Sequence, residues 1–221
     1  MFQQKNKIFE INNLKIVDFE NSHCPEWIVE DVVKKDIYGI KNIEFKPDDI
    51  ILDIGANVGI FSVYMAKLHP DVRIIGLEPA KVNFKHFRAT IRANNVKNVE
   101  TIKLAITSDG RRINIATNEG NPGGSTIYSN RKTGKYFNYC SSITLDDFIT
   151  KKKIEKIKLL KCDVESSEHE VFMDFKQWGK IEYIGIEIHE PRRYDKNYSK
   201  QALLDLLQSK IPPDKLAVSY A

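Results

Sequence analysis

The sequence predicts a single α/β domain in which a mostly parallel sheet carries helices on both faces, in three layers. The first sign is Ile50-Ile51-Leu52-Asp53-Ile54-Gly55-Ala56-Asn57-Val58-Gly59-Ile60-Phe61. There an apolar β-branched run ends in an acid and two spaced glycines, then passes into a pattern of helical period, which reads as strand, tight turn and helix. The second is that β-branched runs and helical segments go on alternating toward the end of the chain. The third is that acids recur where those runs end: Glu78, Asp163 and Glu187. Ligands of open parallel sheets bind outside the carboxyl ends of the strands.

Length and composition set the frame. The chain has 221 residues, enough for one such domain and short for two. Its 42% apolar and 29% charged residues are those of an ordered globular protein, with no fibrous or disordered bias. The net charge of +4 comes from scattered lysines rather than one block, so a nucleic-acid partner is not implied. Cys24, Cys140 and Cys162 are odd in number and far apart, which points to a reducing compartment. The N-terminus has no signal-peptide pattern, and no apolar run reaches membrane-spanning length. The expectation is a cytoplasmic protein without a membrane span; its oligomeric state is not legible.

Residues 1–47 form an N-terminal extension or cap, and 48–221 the main domain. Within the extension, Ile8–Ile11 and Leu14–Val17 suit a hairpin around Asn12-Asn13, while Trp27, Ile28, Val32 and Val33 suit one face of a short helix. After the glycine loop, Phe61, Tyr64, Met65 and Leu68 carry a helical face that Pro70-Asp71 ends. Val72–Leu77 is the second sheet strand and stops at Glu78-Pro79. An acid at that place, in register with Gly55 and Gly59, suits the hydroxyls of a ribose. The next helix buries Phe84, Phe87 and Ile91 and closes at Asn94-Asn95. Val99–Ile106 is read as one strand, with Ala105 at its end a candidate contact for an adenine.

From Arg111 to Ile143 short strands are expected at 111–115, 125–128 and 136–139, with a turn over Glu119–Gly124. Thr144 and Asp147 are spaced to cap a helix, and Ser167 with Glu170 to form a capping box for a second one, buried through Val171, Phe172, Phe175 and Trp178. Between them lies the strand Ile157–Val164, and after them Tyr183–Pro191. Alternation puts Glu187 and His189 on one face, beside Asp163 at the end of the neighbouring strand. A last helix spans Gln201–Gln208, and Lys215–Tyr220 has the pattern of a further strand.

The loop spacing Asp-x-Gly-x-x-x-Gly is neither the dinucleotide fingerprint nor a P-loop. Taken with Glu78-Pro79, Thr144-Leu145-Asp146, Asp163-Val164-Glu165 and Glu187-Ile188-His189, it makes the stretch from Ile50 to Glu190 resemble the FkbM family of S-adenosylmethionine (SAM)-dependent O-methyltransferases. The resemblance implies a class I, Rossmann-like methyltransferase sheet with a short β insertion after the third strand. It also implies that Asp53, Gly55, Ala56, Asn57 and Gly59 border the methionine part of SAM, that Glu78 meets its ribose, and that Asp163 lies near the transferred methyl group. Two features depart from the pattern. Ser166-Ser167 stand where the family usually has Gly-Ala, so an unusual dihedral at that glycine would bear on activity or substrate range. The usual seventh strand is not found.

Methyl transfer to a hydroxyl needs the acceptor oxygen held in line and its proton removed. Asp163, Glu187 and His189 are the candidate catalytic groups, with His189 best matched to neutral pH. A divalent cation such as Mg²⁺ on Asp163, Glu165 and Glu187 is a second route. The expected acceptor is a small molecule or glycan. The rivals are an RNA methyltransferase, against which Asp163-Val164-Glu165-Ser166 stands in place of an Asn-Pro-Pro-aromatic motif, and a non-catalytic SAM-fold binding protein. Acceptor choice is expected to lie in the N-terminal region, the Gly120–Gly124 loop and the segment after Glu190, where Arg192 and Arg193 are candidate anion contacts.

Overall fold

A parallel strand buried on both faces reads as a mostly apolar run, and runs rich in Ile and Leu supply the inner strands of the central sheet. The computed structural model describes residues 5–22, 24–118, 121–126, 136–190 and 199–220. The chain opens with β1 (Asn6–Ile11) and β2 (Leu14–Phe19), then α1 (Cys24–Val29), which continues as a π-helical turn over Glu30–Lys35. There follow β3 (Ile50–Ile54), α2 (Ile60–Leu68), β4 (Arg73–Leu77), α3 (Lys81–Ala93), β5 (Val99–Ile102) and β6 (Ala105–Ile106). The insertion holds β7 (Ile113–Asn118), β8 (Asn121–Thr126), β9 (Tyr136–Cys140) and β10 (Ser142–Ile143). The last part runs through α4 (Leu145–Lys151), β11 (Ile157–Cys162), α5 (Glu168–Phe172), β12 (Ile181–Ile188), α6 (Lys200–Lys210) and β13 (Leu216–Tyr220).

The central sheet has the order β13-β12-β11-β3-β4-β5, and every pairing in it is parallel. This is the doubly wound α/β order whose direction reverses between β3 and β11, the point where such sheets bind ligands. Among the described residues the sheet has these six strands, and no helix is long and apolar enough to cross a membrane.

Register places Gly76, Asp53, Lys161, Gly185 and Ala217 side by side across the sheet. The two glycines let the layer above come close, as a ring at Gly76 and as backbone at Gly185. A Cβ on Gly76 would lie 2.4 Å from the Phe87 ring, and one on Gly185 2.8 Å from both the Cβ and the carbonyl oxygen of Tyr38. Phe87 of α3 and Tyr38 of the N-terminal segment therefore sit directly on the sheet, both buried.

Several expectations need correction. The β1–β2 hairpin turns at Asn12 and Asn13, with φ of 49° and 62°, as a two-residue hairpin favours. Its Phe9, Leu14 and Ile16 cover the outer side of α2. That second cover is why Val63 is buried as well as Phe61 and Met65, whereas Ser62 is buried on the sheet side, against Asp53, and Leu68, expected inside, is exposed. Trp27 is 70% exposed rather than inward, whereas Val32 is buried. The strand expected over 99–106 breaks after Ile102, and Ala105-Ile106 pair with β10 instead.

The expected turn over 119–124 is strand from Asn121 onward. β8 is an edge strand of its sheet, so Pro122, which lacks an N–H, is tolerated there. Gly120, Tyr128 and the segment 191–198 with Arg192 and Arg193 lie outside the described residues. Thr144 does cap α4, accepting from Asp147 N at 3.1 Å. The Ser167–Glu170 capping box does not form: Ser167 Oγ donates to Val164 O at 2.6 Å, and Glu170 is taken by Arg111 at 2.5 and 3.0 Å.

Gly76→Ala should destabilise the fold by about 1–3 kcal/mol through overpacking against Phe87. In a urea-denaturation double-mutant cycle, adding Phe87→Leu should recover part of that loss; strict additivity would show that the two sites do not press on one another.

Candidate active site

The glycine loop leaves β3 with Gly55 at φ +80°, Asn57 at +52° and Gly59 at +88°. Left-handed backbone of this kind suits glycine and, less well, asparagine. Packing adds a second demand at the two glycines. A Cβ on Gly55 would lie 1.8 Å from the Asp163 carbonyl oxygen, and one on Gly59 2.2 Å from Phe87. The loop thus presses directly on the end of β11. Leu77 O accepts from the N–H groups of Gly55 and Ala56 at 3.0 and 2.9 Å. The Glu78 carboxyl spans the same loop, accepting from Asn57 N and Ala80 N at 2.8 Å each. Burial pushes Glu78 up to about 8, against the pull of those two N–H groups.

Behind the loop lies a buried charge cluster. Asp53 is 0% exposed and accepts from Ser62 Oγ at 2.6 Å. Its other oxygen, Oδ1, lies 3.2 Å from Lys161 Nζ and makes no hydrogen bond among the described residues. Lys161, 4% exposed, donates to Gly55 O at 2.7 Å and stands 3.8 Å from Asp163 Oδ2. Tyr38 OH donates to the same Asp163 oxygen at 3.2 Å, and the Lys161 ammonium lies 5.6 Å from the Tyr38 ring centre. Burial works against the Lys161 charge, but Asp53 and Asp163 outweigh it and hold the ammonium above its ordinary range. Burial first, then Asp163 and Glu187, keeps Tyr38 a neutral phenol.

Beyond Asp163 stands a second group of polar side chains. Ligand atoms of Asp163, Glu187 and His189 lie within 4.8 Å of one another. Glu165, weighed with Asp163 and Glu187 as a metal ligand, is outside that group, and His189 takes its place. His189 Nε2 is 3.8 Å from Glu165, and its Nδ1 is 2.8 Å from Glu168, a carboxylate only 2% exposed. Glu165 and Ser166 are both left-handed, with φ of 54° and 76°. That tight turn aims the N–H groups of Val164 and Ser166 at Glu168 Oε1, at 3.4 and 3.3 Å. Ser166 therefore occupies a backbone conformation that favours the glycine of the family pattern.

Burial pulls the His189 imidazole down, yet Glu168 and then Asp163 and Glu165 raise it to about 9. His189 is thus an imidazolium at neutral pH rather than a ready base. Burial, then Asp163, raises Glu165 to about 7 and Glu187 above its usual range.

Of the expected site residues, Gly55, Ala56, Asn57 and Asp163 line one crevice, walled also by Ile28, Val32, Val58 and Phe61, while Asp53 lies buried behind it on Lys161, Glu78 under the loop on Asn57 N, and Gly59 against Phe87. Ala105 stands with Ala80, Ile113, Ile115 and Cys140 in an apolar cluster. Two site residues escaped the sequence reading: Lys161 and Tyr38. The signal for Lys161 was a lone cation inside an apolar run, where a buried charge needs a partner. Tyr38 had none in the chain around it.

The titrations act on stability in one direction. His189 binds its proton more tightly folded than unfolded, so its contribution is complete below its ordinary range and is lost as pH rises through about 9. Glu165 and Glu78 keep protons in the folded chain that the unfolded chain releases above 4.5, so stability also falls through about pH 7 and 8. The unfolding free energy should drop by at least about 2 kcal/mol between pH 5 and pH 9, measured by urea denaturation. Ser166→Gly should raise it by roughly 0.5–1 kcal/mol by relieving the left-handed serine.

A family model, the methyltransferase FkbM domain, matches residues 53–210. Methyltransferase 1 of Beauveria bassiana is 26% identical over 65% of this chain and 66% of its own length. The 31-O-demethyl-FK506 methyltransferase FkbM of Streptomyces tacrolimicus is 27% identical over 77% and 76% of the two chains. The 2-O-methyltransferase NoeI of Sinorhizobium fredii is 26% identical over 74% and 73%. With the family model spanning the glycine loop, the strand ends that carry Glu78, Asp163 and Glu187, and α6, the chain belongs to the FkbM methyltransferase domain family.

Proposed function

We propose that this chain is a SAM-dependent O-methyltransferase acting on a hydroxyl of a small molecule or glycan. The observation that carries the reading is the convergence of Asp163, Glu187 and His189 at the strand ends, directly beside the glycine loop. Family membership supports methyl transfer, and O-methylation is supported by one relative named a 2-O-methyltransferase and another named a 31-O-demethyl-FK506 methyltransferase.

The residues present fit the cofactor. The left-handed loop, the apolar wall of Ile28, Val32 and Val58, and Asp163 with Lys161 together offer a crevice with charge at its base. When bound, SAM supplies a methyl group on a positively charged sulfur, open to attack by an oxygen. The loop from Gly55 to Gly59 and Glu78 hold the cofactor, with Glu78 on its ribose and Ala105 on the adenine side. Asp163 is fixed by Tyr38 and Lys161 at the junction of the cofactor and acceptor sides. Glu187, made more basic by burial and by Asp163, takes the hydroxyl proton. His189, held charged by Glu168, steadies the negative charge that develops on the acceptor oxygen.

Asp163, Glu187 and His189 also form a donor set for a divalent cation, which would acidify a bound hydroxyl. Activity unchanged after exhaustive chelation removes that version.

Incubation with methyl-labelled SAM and fractionated glycans, lipids and small metabolites should place label on a hydroxylated fraction. Glu187→Gln should lower the rate of transfer roughly 10²–10⁴-fold while SAM affinity stays unchanged. SAM binding with no transfer to any hydroxylated acceptor would contradict the proposal, as would full activity in Glu187→Gln.

A further inference from the structure

Lys161 is a buried cation beside Asp163 to which the chemistry above assigns no step of its own. It stands on β11, in register with Asp53 on β3, and β11 is covered on both faces. A buried charge is retained only with close partners. Lys161 has two carboxylates, at 3.2 and 3.8 Å, and one carbonyl, Gly55 O, at 2.7 Å. That carbonyl belongs to the residue whose Cα faces the Asp163 carbonyl, so the ammonium lies where the glycine loop meets the end of the next strand. Asp53, Asp163 and Lys161 sum to one negative charge, and Lys161 and Asp163 both line the crevice.

We propose that Lys161 is a positioning residue of the cofactor site: it ties the Gly55 carbonyl to Asp163, and its charge sets how strongly the crevice distinguishes the sulfonium cofactor from its thioether product. The inference rests on the SAM reading. SAM carries one positive charge more than S-adenosylhomocysteine, on the sulfur. With Lys161 present, the ammonium offsets one carboxylate, so the preference for the charged ligand is moderate and the product is not displaced too readily by its precursor's attraction to Asp163. Without it, two carboxylates stand unopposed and the preference for the sulfonium grows. A unit charge within about 10 Å in an environment of effective dielectric about 20 changes such a ratio on the order of tenfold.

The test is calorimetric titration of SAM and S-adenosylhomocysteine into three full-length proteins at pH 8. The wild type should bind both. Lys161→Met should raise the ratio of SAM to S-adenosylhomocysteine affinity on the order of tenfold. The charge-balanced pair Asp53→Asn with Lys161→Met leaves no unpaired buried charge and serves if the single variant does not fold. It should keep the wild-type ratio while weakening both ligands alike, because the tie to Gly55 is gone. An unchanged ratio in Lys161→Met, or unchanged affinities in the double variant, overturns this inference and leaves the SAM reading standing. A wild type that binds neither ligand overturns both.

Discussion

The contact on which the rest of this structure depends is the pair of Asp53 and Lys161, set side by side on β3 and β11 in the middle of a parallel sheet. Such strands are normally apolar, and isolated charges there are costly. The pair is kept by further partners: Ser62 on Asp53, and Gly55 O and Asp163 around Lys161. Each of those partners belongs to a different element, α2, the glycine loop and the end of β11. One ion pair therefore fixes the mutual placement of the three pieces that make the crevice.

The neighbours in the same row explain the layer above. Gly76 and Gly185 flank the charged pair and admit Phe87 and Tyr38 onto the sheet. Phe87 in turn meets Gly59, so the far end of the glycine loop is set by the same ring that α3 delivers. Tyr38 brings the N-terminal segment into the site through its hydrogen bond to Asp163. On the other side of Asp163, the left-handed turn at Glu165 and Ser166 curls around Glu168, and Glu168 holds His189. The glycine-loop side and the His189 side are thus two polar networks that share one carboxylate.

Much of this was legible in the chain. The β3 run, the glycine spacing and the acids at strand ends gave the sheet and its ligand edge, because apolar periodicity and turn chemistry are local signals. The hairpin at Asn12-Asn13 and the Thr144 cap were legible for the same reason. What failed depended on distant partners. Leu68 and Trp27 had the right spacing for burial, but which face of a helix is covered depends on elements far away in sequence. Ser167 and Glu170 had capping-box spacing, yet Arg111, 59 residues from Glu170, claimed the carboxylate. His189 looked suited to act as a neutral-pH base until Glu168 and two further carboxylates were found around it. Lys161 and Tyr38 acquire meaning only from register and from packing through Gly185.

The account holds that the crevice between the glycine loop and the end of β11 is the cofactor site. Its most direct test is a crystal structure grown with S-adenosylhomocysteine. The ligand is predicted to lie along Gly55–Gly59 with its ribose at Glu78 and its sulfur toward Asp163. Density for the ligand at any other place on the chain, or a crevice that excludes it at saturating concentration, would contradict the account.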